Sequence, residues 1–192
     1  MKRLHDLKIG EMFKYGGFDW IKLDTIKDGT LAIMEDKLPY NSIFDSNSNN
    51  WKTSELRNWL NENFWQELID NGANEDDFIS FERDLTADDA MKEYGSCKDR
   101  ISIITCEEYR RYRNLIPVIN DWWWTLTEYS CREEYRYGVR VVDSSGYLAW
   151  NVMCNNGNGV RPLCYLKSKT WLNNSTDEVN KRCNWWLSQQ NQ

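Results

Sequence analysis

In the N-terminal part of the chain apolar and polar positions alternate in the manner of antiparallel strands. Phe18, Trp20, Ile21 and Leu23 form one run, and Leu31, Ile33 and Met34 a second. Between them lies Lys27-Asp28-Gly29-Thr30, and Asp-Gly between two such runs predicts a hairpin. The Asn- and Ser-rich stretch Asn41 to Asn50 reads as a surface loop. The period then changes. Leu56, Trp59, Leu60 and Phe64 stand at i, i+3, i+4 and i+8, which predicts an amphipathic helix with these four side chains as its buried face. Thr53 or Ser54 supplies the N-cap, and Glu55 places a carboxylate in the first turn, where the helix dipole favours it.

From Gln66 to Gly95 the chain is acidic and irregular, with Phe78, Ile79 and Phe81 as apolar anchors; the expectation is a long surface excursion with one short helix from Thr86 to Tyr94. Asp99 to Thr105 reads as a short buried strand. Thr105 and Glu108 have the spacing of a reciprocal capping box, opening a helix through Tyr109, Tyr112 and Leu115 that stops before Pro117. The last third reads as β. Trp122 to Thr127 is one strand, Gly138 to Asp143 pairs with Tyr147 to Val152 across Ser144-Ser145-Gly146, and Val160 to Leu166 follows the loop Asn155 to Gly159. The tail is polar but carries Trp171 and Trp185-Trp186. The expected organisation is therefore a single domain over 1–167 and a C-terminal extension, 168–192, that packs on it or on a partner.

Composition sharpens this picture in three ways. Aromatic residues reach 14%, with 11 Trp, and each ring buries about 150 to 250 Å², so core and binding surface are both expected to be aromatic. The net charge of −6 would repel a polyanion, which argues against nucleic acid as a direct ligand. No apolar run is long enough for a signal peptide or a membrane span, so the expected location is the cytoplasm, where six cysteines without a C-x-x-C pair are expected as reduced thiols.

The string W-x-x-S-x-L-R-x-W-L-N-x-x-F runs through Trp51, Ser54, Leu56, Arg57, Trp59, Leu60, Asn61 and Phe64; Asp99 to Thr105, Trp123-Trp124, a valine-rich hairpin and Gly159-Val160-Arg161-Pro162-Leu163 follow. In this order, over residues 9–167, the chain resembles a family of uncharacterised bacterial and phage domains. That family looks related to the C-type-lectin-like fold of formylglycine-generating-type proteins and of retroelement-diversified phage receptor proteins. The resemblance implies an α+β, C-type-lectin-like scaffold: a small twisted antiparallel sheet, two flanking helices, long loops, and binding at the C-terminal hairpin region. The chain departs from the pattern where W-W-L-R-S-P becomes Trp123-Trp124-Thr125-Leu126-Thr127, without the Arg and the Pro. The Arg161-Pro162 step is expected to be structural, anchoring loop carbonyls or a buried carboxylate.

Candidate chemistry is sparse. His5 is the only histidine, which leaves nucleophile–base triads without a base, and Cys154 and Cys164 do not match the paired thiols of formylglycine-generating enzymes. The calcium-loop spacing is absent, so neither a metal nor a cofactor is expected. Tyr109-Arg110-Arg111-Tyr112-Arg113 divides on a helix into a Tyr edge and a solvated Arg face. What remains is a concentration of Trp, Tyr and Asn, the composition of protein-recognition surfaces. Trp122, Tyr147 and Trp150 are the candidate anchors, with Asn151, Asn155, Asn156 and Asn158 as further contacts. Strand alternation requires at least one of Trp122, Trp123 and Trp124 to face away from the core. The expected function is a non-enzymatic protein-binding module of a phage or mobile element, inhibiting a host defence protein such as a nuclease. A receptor-binding virion domain, a carbohydrate-binding domain and a formylglycine-generating-type oxidase are the alternatives.

Overall fold

The computed structural model describes residues 2–27 and 29–172, with the side chains of Trp150 and Asn151 outside that description. Its strands are β1 (Lys2–Arg3), β2 (Met12–Tyr15), β3 (Phe18–Ile26), β4 (Gly29–Met34), β5 (Phe78–Ile79), β6 (Phe81–Asp84), β7 (Ser96–Asp99), β8 (Ile101–Ser102), β9 (Trp123–Glu128), β10 (Gly138–Val142), β11 (Leu148–Met153), β12 (Leu163–Lys167) and β13 (Trp171–Leu172). The architecture is mixed α+β, with several small antiparallel sheets. The main sheet has the order β2-β3-β4-β12-β5, with β8 also on β12; β11-β10-β9 form a second sheet, and β6 with β7 and β1 with β13 are separate pairs.

Both faces of the main sheet are covered. On one face Trp20, Ala32, Met34, Cys164 and Leu166 join the larger core, and on the other Ile21, Leu23, Leu31, Ile33 and Leu163 join a smaller one. This explains why β4 is buried at every position instead of alternating. The β3–β4 hairpin forms as expected, but Gly29 pairs with Ile26 and Thr30 with Thr25, so both belong to the strand and not to the turn.

Helix α1 (Glu55–Trp59) starts at Ser54, whose hydroxyl accepts from the Arg57 amide at 3.2 Å. It runs through a π-helical turn, Leu60–Phe64, into α2 (Trp65–Asp70), beyond the expected end at Phe64. The π turn carries Asn61, whose amide spans to the neighbouring backbone: its Oδ1 accepts from the Arg100 and Ile101 amides and its Nδ2 donates to Ile101 O. Arg57 Nε and Trp51 Nε1 both donate to the buried Asp99, at 2.6 and 2.8 Å. Trp51, Arg57 and Asn61 of the string are thus ties to the 98–101 segment, while Ser54 caps the helix. Leu56, Leu60 and Phe64 are buried as expected, whereas Trp59 is only half-buried, edge-on to Tyr40 and stacked on Phe64. Phe64→Ala is therefore expected to cost about 3 to 5 kcal/mol and Trp59→Ala roughly half of that. Equal losses for the two variants in urea denaturation would contradict this division.

The acidic excursion is more ordered than expected. β6 and β7 pair across it from Phe81↔Asp99 to Asp84↔Ser96, and no helix forms over 86–94. Its aspartates cap backbone instead: Asp84 accepts from the Thr86 amide and hydroxyl, Asp89 from the Met91 amide, and Ala90 sits at φ +70°. Such side-chain-to-backbone bonds compete with helix formation. The capping box at Thr105 and Glu108 is present, opening α3 (Cys106–Tyr112), with Tyr109 and Tyr112 buried and Arg110 and Arg111 exposed. The strand expected from Val160, β12, begins at Leu163, because Pro162 O and Val160 O accept from the Met34 and Leu38 amides outside the ladder. Within the expected extension, β13 pairs with β1 (Arg3↔Trp171); Cys183 and Trp185-Trp186 lie outside the described residues.

Candidate functional site

The β11-β10-β9 sheet positions the sequence-derived anchors. Trp123 and Leu148 both register with Val142, so Trp122 and Tyr147 stand at the same end of the sheet with β10 between them. The triple Trp resolves cleanly: Trp123 enters the smaller core, Trp124 the larger, and Trp122, just before the strand, is left 39% exposed. Tyr147 is 70% exposed on a pinned turn, where Asp143 N donates to Tyr147 O and Tyr147 N to Asp143 Oδ1. Gly146, at φ +78°, permits the turn; a Cβ there would lie 2.5 Å from Arg113 and 2.8 Å from Val118. Arg113 Nε and Tyr109 Oη both donate to Gly146 O, fixing the turn to α3 and the segment after it.

Val118, exposed beside this turn, belongs to the same rim and was missed by the sequence reading. The available signal was an apolar Val118-Ile119 pair after Pro117, outside any strand pattern. Asp121, next to Trp122, is ion-paired to Lys37 at 3.2 Å, which borders the rim with charge.

The amides are placed differently. Met153 closes β11 opposite Gly138, and at about 3.4 Å per residue the turn that follows starts roughly 17 Å from the Tyr147 end. Asn155 and Asn156 are exposed on that turn. The loop then returns, and Gly159 N donates to Trp122 O at 2.8 Å. Asn158 exchanges both backbone bonds with Ser42 and is only 8% exposed, its amide nitrogen without a partner among the described residues, so it offers little surface to a ligand. The structure thus brings Trp122 and Tyr147 together with Val118, sets Asn155 and Asn156 apart from Tyr147, and turns Asn158 inward.

A cleft of about 360 Å³ lies between β6 and the start of α3, where the buried Arg83 forks onto Glu108 with two 2.7 Å bonds and donates to Ile103 O, its Nε alone without a partner among the described residues. Burial opposes ionisation of Glu108, but the Arg83 charge together with the hydrogen bonds from Arg83 and Thr105 outweighs it, keeping that carboxyl below its ordinary range. The five described cysteines are free. Burial raises the thiols of Cys97 and Cys154 to about 11 and also raises Cys106, Cys131 and Cys164, which keeps them protonated near neutrality. Among the described residues no group of three or more His, Cys, Asp or Glu is arranged to hold a metal ion, and no helix is long and apolar enough to cross a membrane.

One buried acid stands apart. Glu128 alternates with Trp124 and Leu126, so it points to the larger core, away from the cleft that Thr127 lines. It is fully buried and neither carboxyl oxygen has a partner among the described residues.

The architecture is thus α+β, with Trp122 and Tyr147 exposed at one end of the β11-β10-β9 sheet. Residues 75–168 match the family model described as "Domain of unknown function (DUF6273)", a stretch that contains Val118, Trp122, Tyr147, the amide turn and Arg161. No curated protein and no solved structure matches the chain.

Proposed function

We propose that this chain is a non-catalytic protein-binding module that presents Val118, Trp122 and Tyr147 to a protein partner. The observation that carries the reading is Tyr147, a large ring left in water on a turn braced from both sides, beside exposed Val118. A ring fixed before binding loses little conformational entropy on contact, and such anchors supply most of the binding energy of an interface. Thiols raised by burial, and a single histidine whose Nδ1 lies 3.2 Å from Asp6 near the start of the chain, support the non-catalytic reading. A C-type-lectin-like scaffold is part of this proposal and rests on the motif resemblance together with the mixed α+β architecture. The net charge of −6 favours, within this reading, an inhibitor that occupies the basic groove of a host nuclease, a role for which phage origin rests on the motif resemblance alone.

Tyr147→Ala and Trp122→Ala are expected to keep the circular dichroism spectrum and, against a partner isolated by pull-down, to weaken binding at least tenfold, about 1.4 kcal/mol. Should both bind normally while charge reversals at Glu75, Asp76 and Asp77 abolish binding, the rim is not the site and an acidic decoy surface takes its place.

A further inference from the structure

We propose that the open cavity of about 590 Å³ beside the β12–β13 turn binds a small dianionic ligand of the phosphate-monoester kind. Its lining is Arg3, His5, Ile79, Lys167, Ser168 and Lys169, so every ionisable side chain of that wall is basic in a chain whose net charge is −6. The two sides of the wall are clamped together. His5 N donates to Ser168 O at 2.8 Å, Leu4 N to Thr170 O at 2.9 Å, and Arg3 pairs with Trp171 in the β1–β13 ladder. The Arg3 guanidinium lies over the Trp171 ring at 4.4 Å, which orders it. His5 lies against the Asp6 carboxylate at 3.2 Å, but holding the like charges of Arg3, Lys167 and Lys169 around one cavity costs electrostatic free energy that a bound anion would recover.

Ser168 supplies a second, independent feature. Its hydroxyl oxygen is shut off from solvent and has no hydrogen-bond partner among the described residues, in a wall that also carries Arg3, Lys167 and Lys169. A hydroxyl donor beside guanidinium and ammonium groups is the donor set that phosphoryl oxygens accept from. Arg3, Lys167 and Lys169 match a dianion better than a single carboxylate, and Ile79 offers an apolar wall to the organic part of an ester. The site is separate from the aromatic rim and does not depend on its role.

Isothermal titration of the full chain with inorganic phosphate and with a nucleoside monophosphate, ionic strength held constant with chloride, tests the proposal. Saturable one-site binding is expected, tighter for the monophosphate, and weakened at least tenfold in Lys167→Gln/Lys169→Gln. No saturation by about 10 mM of either ligand, or an unchanged affinity in that variant, would overturn it. Equal affinity for the two ligands would overturn the ester assignment, and binding seen only with a single-stranded oligonucleotide would replace it with a polynucleotide surface. If the double variant loses its circular dichroism signal, Ser168→Ala decides: a several-fold loss is expected, and full affinity in this folded variant refutes the site.

Discussion

Between pH 5 and pH 8 the stability of Glu128→Gln is expected to gain about 3 kcal/mol on that of the parent protein, an effect large against ordinary single-site changes. Burial raises the Glu128 carboxyl to about 8, and the nearby charges of Asp84 and Asp89 push in the same direction. The cover is the excursion that joins β6 to β7. Asp88 N donates to Glu128 O, and Asp84, Asp89, Tyr94 and Cys131 are the titratable groups around it. None of these is a cation that would favour the charged form.

The sign follows from the two protonation states. In the unfolded chain Glu128 ionises near the ordinary carboxylate value, and in the folded chain only near 8, so the folded state binds the extra proton. Its contribution is fully present below the unfolded value and is lost as pH rises through about 8. Gln keeps the shape without the ionisation. Urea denaturation of both proteins at pH 5 and pH 8 reads the difference directly, and parallel pH profiles would show that Glu128 ionises freely in the fold.

Arg161→Met is expected to cost about 3 kcal/mol or more, and Arg161→Lys to recover little of it. The guanidinium is fully buried and stacked on Trp123 at 4.9 Å; it donates to Met34 O, Glu35 O and Pro117 O, and burial brings its pKa down to about 10. Methionine removes the costly buried charge but leaves three carbonyls without this donor. A lysine ammonium can neither fork across them nor stack on the indole. Because Pro117 precedes Val118, the loss is expected to reach the rim, where the fluorescence of Trp122 and Trp123 should shift in the folded variant. A melting curve unchanged by either substitution would show that Arg161 ties nothing together.

The sequence by itself determined what is local: the β3–β4 hairpin, the Ser54 cap, the Thr105–Glu108 capping box, the β10–β11 hairpin and the polar face of α3. Each is set by residues a few positions apart, whose spacing and backbone preferences act before any tertiary contact forms. Tertiary structure decided the rest. Asp84 and Asp89 became turn caps instead of helix formers because the pairing of β6 with β7 closed the excursion. Asn158, identical in type to the exposed Asn155 and Asn156, turned inward because Ser42 lies across from it. Trp122 and Tyr147 met at one rim while Asn155 and Asn156 were carried to the far end of β11, a separation fixed by strand register and invisible in composition. The partners of Arg161 on β4 and after it lie more than a hundred residues earlier in the chain, and Glu128 is buried only because the excursion folds over it. Burial and long-range pairing are properties of the assembled core, so no pattern of neighbouring residues carries them.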